Sequence, residues 1–108
     1  MTTNSRPPFA VSQFTTWHQT FEEDVTLYLE LGVDAIEVCE RKLSKDIAKA
    51  RDQLALLKET KLGVCSIQPR VHALFPDSMS PEPLGAEERV EAFMRSIDLF
   101  AEFFPDTL

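Results

Sequence analysis

The residues of this chain best equipped for chemistry stand just after three short, β-prone stretches. Thr15, Thr16, Trp17 and His18 follow the first, Glu40, Arg41 and Lys42 the second, and Gln68, Arg70 and His72 the third. In parallel α/β folds, ligands bind at these C-terminal strand ends. Trp17 offers an aromatic face for stacking on a sugar or walling a pocket. Gln68, Arg70 and His72 are candidate substrate contacts, and Arg41-Lys42 suits a phosphate or carboxylate. Each also has a plain structural role open to it. Trp17 can pack over a rim, His18 can sit solvated in a loop, His72 can be a hydrogen-bonded loop histidine, and Arg41-Lys42 can be ordinary surface.

Glu37 carries a sharper signal. It lies between Ile36 and Val38, in the middle of the second stretch. An isolated carboxylate is costly to bury in a parallel sheet. Strand alternation sets Ala35, Glu37 and Cys39 on one face and Ile36 and Val38 on the other. If the apolar pair meets helices, Glu37 points to the opposite side, the interior of a barrel. There it needs an ionic or hydrogen-bonding partner, or a function.

Several α/β chemistries are excluded. There is no GxxxxGK[ST] phosphate loop and no GxSxG nucleophile elbow. The three glycines, Gly32, Gly63 and Gly85, cannot form a GxGxxG dinucleotide fingerprint. No HExxH or His/Cys cluster supports a metal site within the chain. Cys39 and Cys65 form neither a CxxC motif nor a disulfide framework, which suits reduced, buried thiols in a cytoplasmic protein.

The elements that must position these residues follow from periodicity and caps. Residues 1–8 are polar, end in Pro7-Pro8 and read as a loose tail, leaving 9–108 as the domain. Phe9 to Phe14 reads as a strand. Thr20-Phe21-Glu22-Glu23 has the S/T-x-x-E form of a capping box. Phe21, Val25, Tyr28 and Leu29 then share one helical face, and Gly32 ends that helix in left-handed geometry. Ala35 to Cys39 is the second strand. Ser44 is placed to cap a second helix with the stripe Ile47, Ala50, Leu54 and Leu57. Gly63 to Gln68 is the third strand. A proline-rich connection over 69–85 exceeds the ~12–15 residues usual for structureless loops, as functional lids do. The last helix starts near Ala86 with the apolar residues Val90, Phe93, Met94, Ile97, Phe100, Ala101 and Phe104, and Pro105 ends it. Strands alternating with helices predict parallel pairing through right-handed crossovers.

Composition narrows the function classes. The chain has 108 residues, with 11 Lys+Arg against 18 Asp+Glu and a net charge of -7. That balance disfavours nucleic acid and anionic membranes as partners. No apolar run approaches the ~20 residues of a membrane span, and the N-terminus lacks the pattern of a secretory signal. The length falls well short of the ~250 residues of a complete eight-unit barrel.

The segment Leu31-Gly32-Val33-Asp34-Ala35-Ile36-Glu37-Val38, a helix ending in Leu-Gly followed by a strand with a central Glu, resembles the second βα junction of the xylose isomerase-like TIM barrels. That superfamily includes sugar phosphate isomerases and epimerases. The passage from Leu57 to Ser66, the capped first helix and the long third loop are similar as well, so the resemblance spans about residues 9–104. It implies an α/β fold of three consecutive βα units with parallel strands, part of a (β/α)8 barrel. It further implies a sugar or sugar-phosphate substrate and a divalent metal (Mn, Mg, Co or Zn) in a complete member. Metal ligands and proton-transfer carboxylates come from later strands in the isomerase branches, so no catalytic residue, metal ligand or cofactor is assigned within this chain. Glu37 carries over as an inward strand residue, and Trp17, Gln68 and His72 as pocket wall.

The expectation is therefore the N-terminal portion of an isomerase/epimerase barrel, inactive by itself, pairing with a missing C-terminal half or with copies of itself. Three alternatives stay open: a small non-catalytic α/β module that oligomerises, the endonuclease IV-like branch of the same superfamily, and a flavodoxin-type flavin or nucleotide binder.

Overall fold

A computed structural model describes residues 7–107; most of the segment read as a tail lies outside them. Three strands form one parallel sheet in the order β1-β2-β3, with β1 at Ala10–Ser12, β2 at Ala35–Cys39 and β3 at Gly63–Gln68. Helices α1 (Phe21–Glu30), α2 (Ile47–Lys58) and α3 (Ala86–Phe103) follow the successive strands. Residues 69–85 contain neither helix nor strand. Among the described residues no helix is long and apolar enough to cross a membrane.

The core lies against one face of the sheet. Ile36 and Val38 are fully buried with Phe21, Val25 and Tyr28 of α1, Ala50, Leu54 and Leu57 of α2, and Leu99 and Phe100 of α3. All three helices therefore cover the Ile36/Val38 side. The opposite face, carrying Ser12, Glu37, Ser66 and Gln68, keeps partial solvent contact and has no helix over it.

Local signals act where the sequence places them, with instructive exceptions. The capping box at Thr20 is complete: Glu23 N–H donates to Thr20 Oγ1 at 3.1 Å, and Thr20 N–H to Glu23 Oε1 at 2.8 Å. Gly32 adopts φ 73°, the left-handed value that favours glycine. The first strand is shorter than expected, because Ser12 Oγ accepts Phe14 N–H and the chain turns into a 3-10 segment over Gln13–Thr16. Asp46, not Ser44, caps α2: Asp46 Oδ1 accepts Ala48 N–H, and Ser44 Oγ accepts the N–H of Asp46 one step earlier. Ile47, expected in the buried stripe, is 60% exposed as the first residue of that helix.

Helix α3 departs furthest from the expected packing. It turns Arg89, Ser96, Leu99 and Phe100 inward and leaves Val90, Phe93 and Met94 exposed. The first part of the expected apolar stripe is thus exposed, whereas Phe100 and Phe104 of the same stripe meet the core.

One irregularity sets the sheet register. Ala35 and Ile36 pair with Gly63 and Val64, but Glu37 pairs with Ser66, so Cys65 is an extra residue. Such a bulge displaces every later side chain of its strand by one position. Val64 and Ile67 consequently both face the core, while Ser66 and Gln68 join Glu37 on the open face.

Candidate functional site

The open face is built around Glu37 at the centre of the middle strand. Ser12 Oγ donates to Glu37 Oε1 at 2.8 Å from β1, and Ser66 Oγ donates to Oε2 at 2.7 Å from β3. The two hydroxyls fix the orientation of the carboxylate, one on each oxygen. Each carboxylate oxygen retains acceptor capacity for a ligand hydroxyl. Gln68 lies on the same face, opposite Cys39 in register.

Beside it, at the C-terminal ends of β1 and β2, lies a buried polar network that sequence reasoning missed. Asp24 of α1 is fully buried and accepts Lys42 Nζ at 2.6 Å, Thr16 Oγ1 at 2.6 Å and Gln13 Nε2 at 2.9 Å. Gln13 turns its other end to the backbone, accepting Cys39 N–H at 2.8 Å. Thr16 also shares a very short hydrogen bond with Tyr28. Lys42 donates a second bond to Thr16 O at 2.6 Å and lies 5.9 Å from the Trp17 ring centre. The surface role open to Lys42 is thereby corrected: its side chain is 5% exposed. Only the apolar spacing of α1, which places Asp24 one residue before Val25, hinted that this carboxylate faces inward.

The remaining sequence candidates disperse. Trp17 stacks on Phe14 at 5.5 Å and stays half exposed. Arg70 turns away from the open face: its N–H donates to Glu40 Oε1 at 2.7 Å, and its guanidinium donates to Glu40 O and Leu43 O. Ser96 of α3 donates to the same Glu40 oxygen at 2.7 Å, so Glu40 clamps β2, β3 and α3 together. His72 stands in the long loop, its Nε2 3.2 Å from Asp77 Oδ2. Glu37 and Gln68 thus share a surface, while Trp17, Arg70 and His72 serve three other neighbourhoods.

The thiols differ from each other. Cys39 is buried, and burial pushes its pKa above the ordinary 9.0 against the smaller opposing pull of Arg41 and Lys42. Cys65, expected to be buried, is exposed because it is the bulged residue. Among the described residues no group of three or more His, Cys, Asp or Glu side chains could hold a metal ion.

Compared with known proteins, the chain matches no family model, and it matches neither a curated protein nor a solved structure.

Proposed function

We propose that this chain forms three consecutive βα units of a sugar phosphate isomerase/epimerase-like barrel and that its open sheet face is part of a sugar-binding wall. One observation carries this reading: Glu37 stands on the uncovered face of a sheet whose strands run in chain order, bracketed by two serine hydroxyls, with every helix on the other side. Sequential strand order with helices on one face suits a singly wound barrel segment. A flavodoxin-type sheet instead places its first strand between the second and third. A carboxylate flanked by hydroxyls and an amide offers alternating acceptors and donors, the complement of a polyhydroxylated ligand. The chain binds and orients the sugar; metal and proton-transfer groups belong to other strands of such a barrel. The net charge of -7 disfavours the endonuclease IV-like branch, which must hold a phosphate backbone.

Titration of the chain with D-fructose 6-phosphate, followed by backbone amide NMR, tests the proposal. Saturable shifts at Ser12, Glu37, Ser66 and Gln68, lost in Glu37→Leu, support it. Saturation without shifts on this face refutes it.

A second reading rests on the sheet edges. β1 and β3 each have one strand neighbour, and exposed parallel edges invite pairing with another chain. A non-catalytic module that oligomerises through those edges would sediment as a dimer or larger and protect β1 and β3 amides from exchange.

A further inference from the structure

Arg89 is the largest fully buried side chain, 1% exposed, and it stands alone as a charge. Its guanidinium donates to four neutral acceptors: Ala73 O at 2.8 Å through Nε, Ser80 O at 3.0 Å and Pro83 O at 2.9 Å through Nη1, and Ser80 Oγ at 3.2 Å through Nη2. Those contacts gather the long loop onto α3. They leave the positive charge without a carboxylate, since Arg89 enters no ion pair among the described residues. Arg89 also occupies the first turn of α3, where the helix dipole already disfavours a cation. A buried, uncompensated charge is expensive, and a fully satisfied guanidinium has five N–H donors, one more than these four contacts use.

The same side chain walls a cleft of about 230 Å³ between the loop and α3. Its other walls are Val71, His72, Ala73, Leu74, Val90 and Phe93, so the lining residues are apolar apart from His72 and Arg89. The nearby Asp77 carboxylate already accepts the N–H groups of Met79 and Ser80 and faces His72. The volume lies below the ~300–1,000 Å³ of clefts that take drug-sized ligands.

We infer that this cleft binds a small organic monoanion, a carboxylate on a compact aryl or branched-alkyl body, with the carboxylate toward Arg89 and the body against Val71, Leu74, Val90 and Phe93. The ligand supplies the missing negative charge and covers apolar surface that the fold leaves in water. This site is separate from the Glu37 face, and its test does not depend on the sugar reading.

The experiment titrates the chain with benzoate, with neutral benzamide of the same shape, and with inorganic phosphate, following side-chain methyl and backbone amide NMR. Benzoate is expected to saturate shifts at Val71, Leu74 and Val90 and to bind at least about tenfold more tightly than benzamide, a difference of about 1.4 kcal/mol; phosphate leaves these signals in place. Phe93→Glu, at a wall position that is 40% exposed, should abolish benzoate binding in a variant whose circular dichroism matches the parent chain. Arg89→Met should do the same if it folds. Equal affinity for benzoate and benzamide, shifts produced by phosphate, binding that survives Phe93→Glu, or a second copy of the chain covering Phe93 in solution would each overturn the inference.

Discussion

The Ser66 hydroxyl lies 2.7 Å from the Glu37 carboxylate because a bulge at Cys65 shifts β3 by one residue. In an unbroken register Cys65 would stand opposite Glu37, and Ser66 would face the core beside Val38. The bulge thus decides which side chain answers the central carboxylate.

Ser66→Ala removes one charge-assisted bond from a partly exposed acceptor, and Ser12→Ala removes the other. Each single change is expected to lower stability by about 1 kcal/mol in urea unfolding. The double variant should lose more than the sum, since the last donor removed leaves Glu37 without a hydroxyl partner. Additive or negligible losses would show that the triad is not a unit.

Asp24 and Lys42 form a buried pair, and breaking such a pair from one side leaves a charge uncompensated. Asp24→Ala is expected to cost about 3–5 kcal/mol, a large share of the ~5–15 kcal/mol that holds a domain folded. The double variant Asp24→Ala/Lys42→Met should be more stable than Asp24→Ala alone. A double-mutant cycle by thermal or urea unfolding measures the coupling; a coupling near zero would refute the pairing.

Tyr28 is the single tyrosine of the chain. Burial pushes its pKa above the ordinary 10.0, the Thr16 hydrogen bond opposes that shift, and the Asp24 charge adds to it. A raised pKa means that the fold prefers the neutral phenol. Its contribution to stability is complete below pH 10.0 and is lost as pH rises through the higher folded-state value. Tyrosinate absorbance should therefore appear above pH 10.0 and coincide with loss of tertiary structure by near-UV circular dichroism.

The two thiols should separate kinetically. Cys65 is exposed and Cys39 is buried with a raised pKa, and only a thiolate reacts. Iodoacetamide at neutral pH is expected to modify Cys65 in the folded chain and Cys39 only in denaturant, as read by mass spectrometry of the peptides. Comparable native-state rates would contradict the burial of Cys39.

The sequence by itself determined the local layer of this protein. The order of strands and helices, the Thr20 capping box, the Gly32 terminus and the inward set of Ile36 and Val38 all follow from spacing and from caps that act within a few residues. Glu37 was legible as an anomaly for the same reason, because alternation in a short strand exposes a misplaced carboxylate. Its partners were not legible, since Ser12 and Ser66 each lie far from it in sequence and reach it only through a register that the bulge at Cys65 sets. The Asp24–Lys42–Gln13 network, the outward turn of Phe93 and the lone Arg89 were hidden likewise. Each depends on how helices rotate and how loops close once the sheet has formed, and those choices minimise the cost of buried polar groups over the whole fold, which no local pattern records.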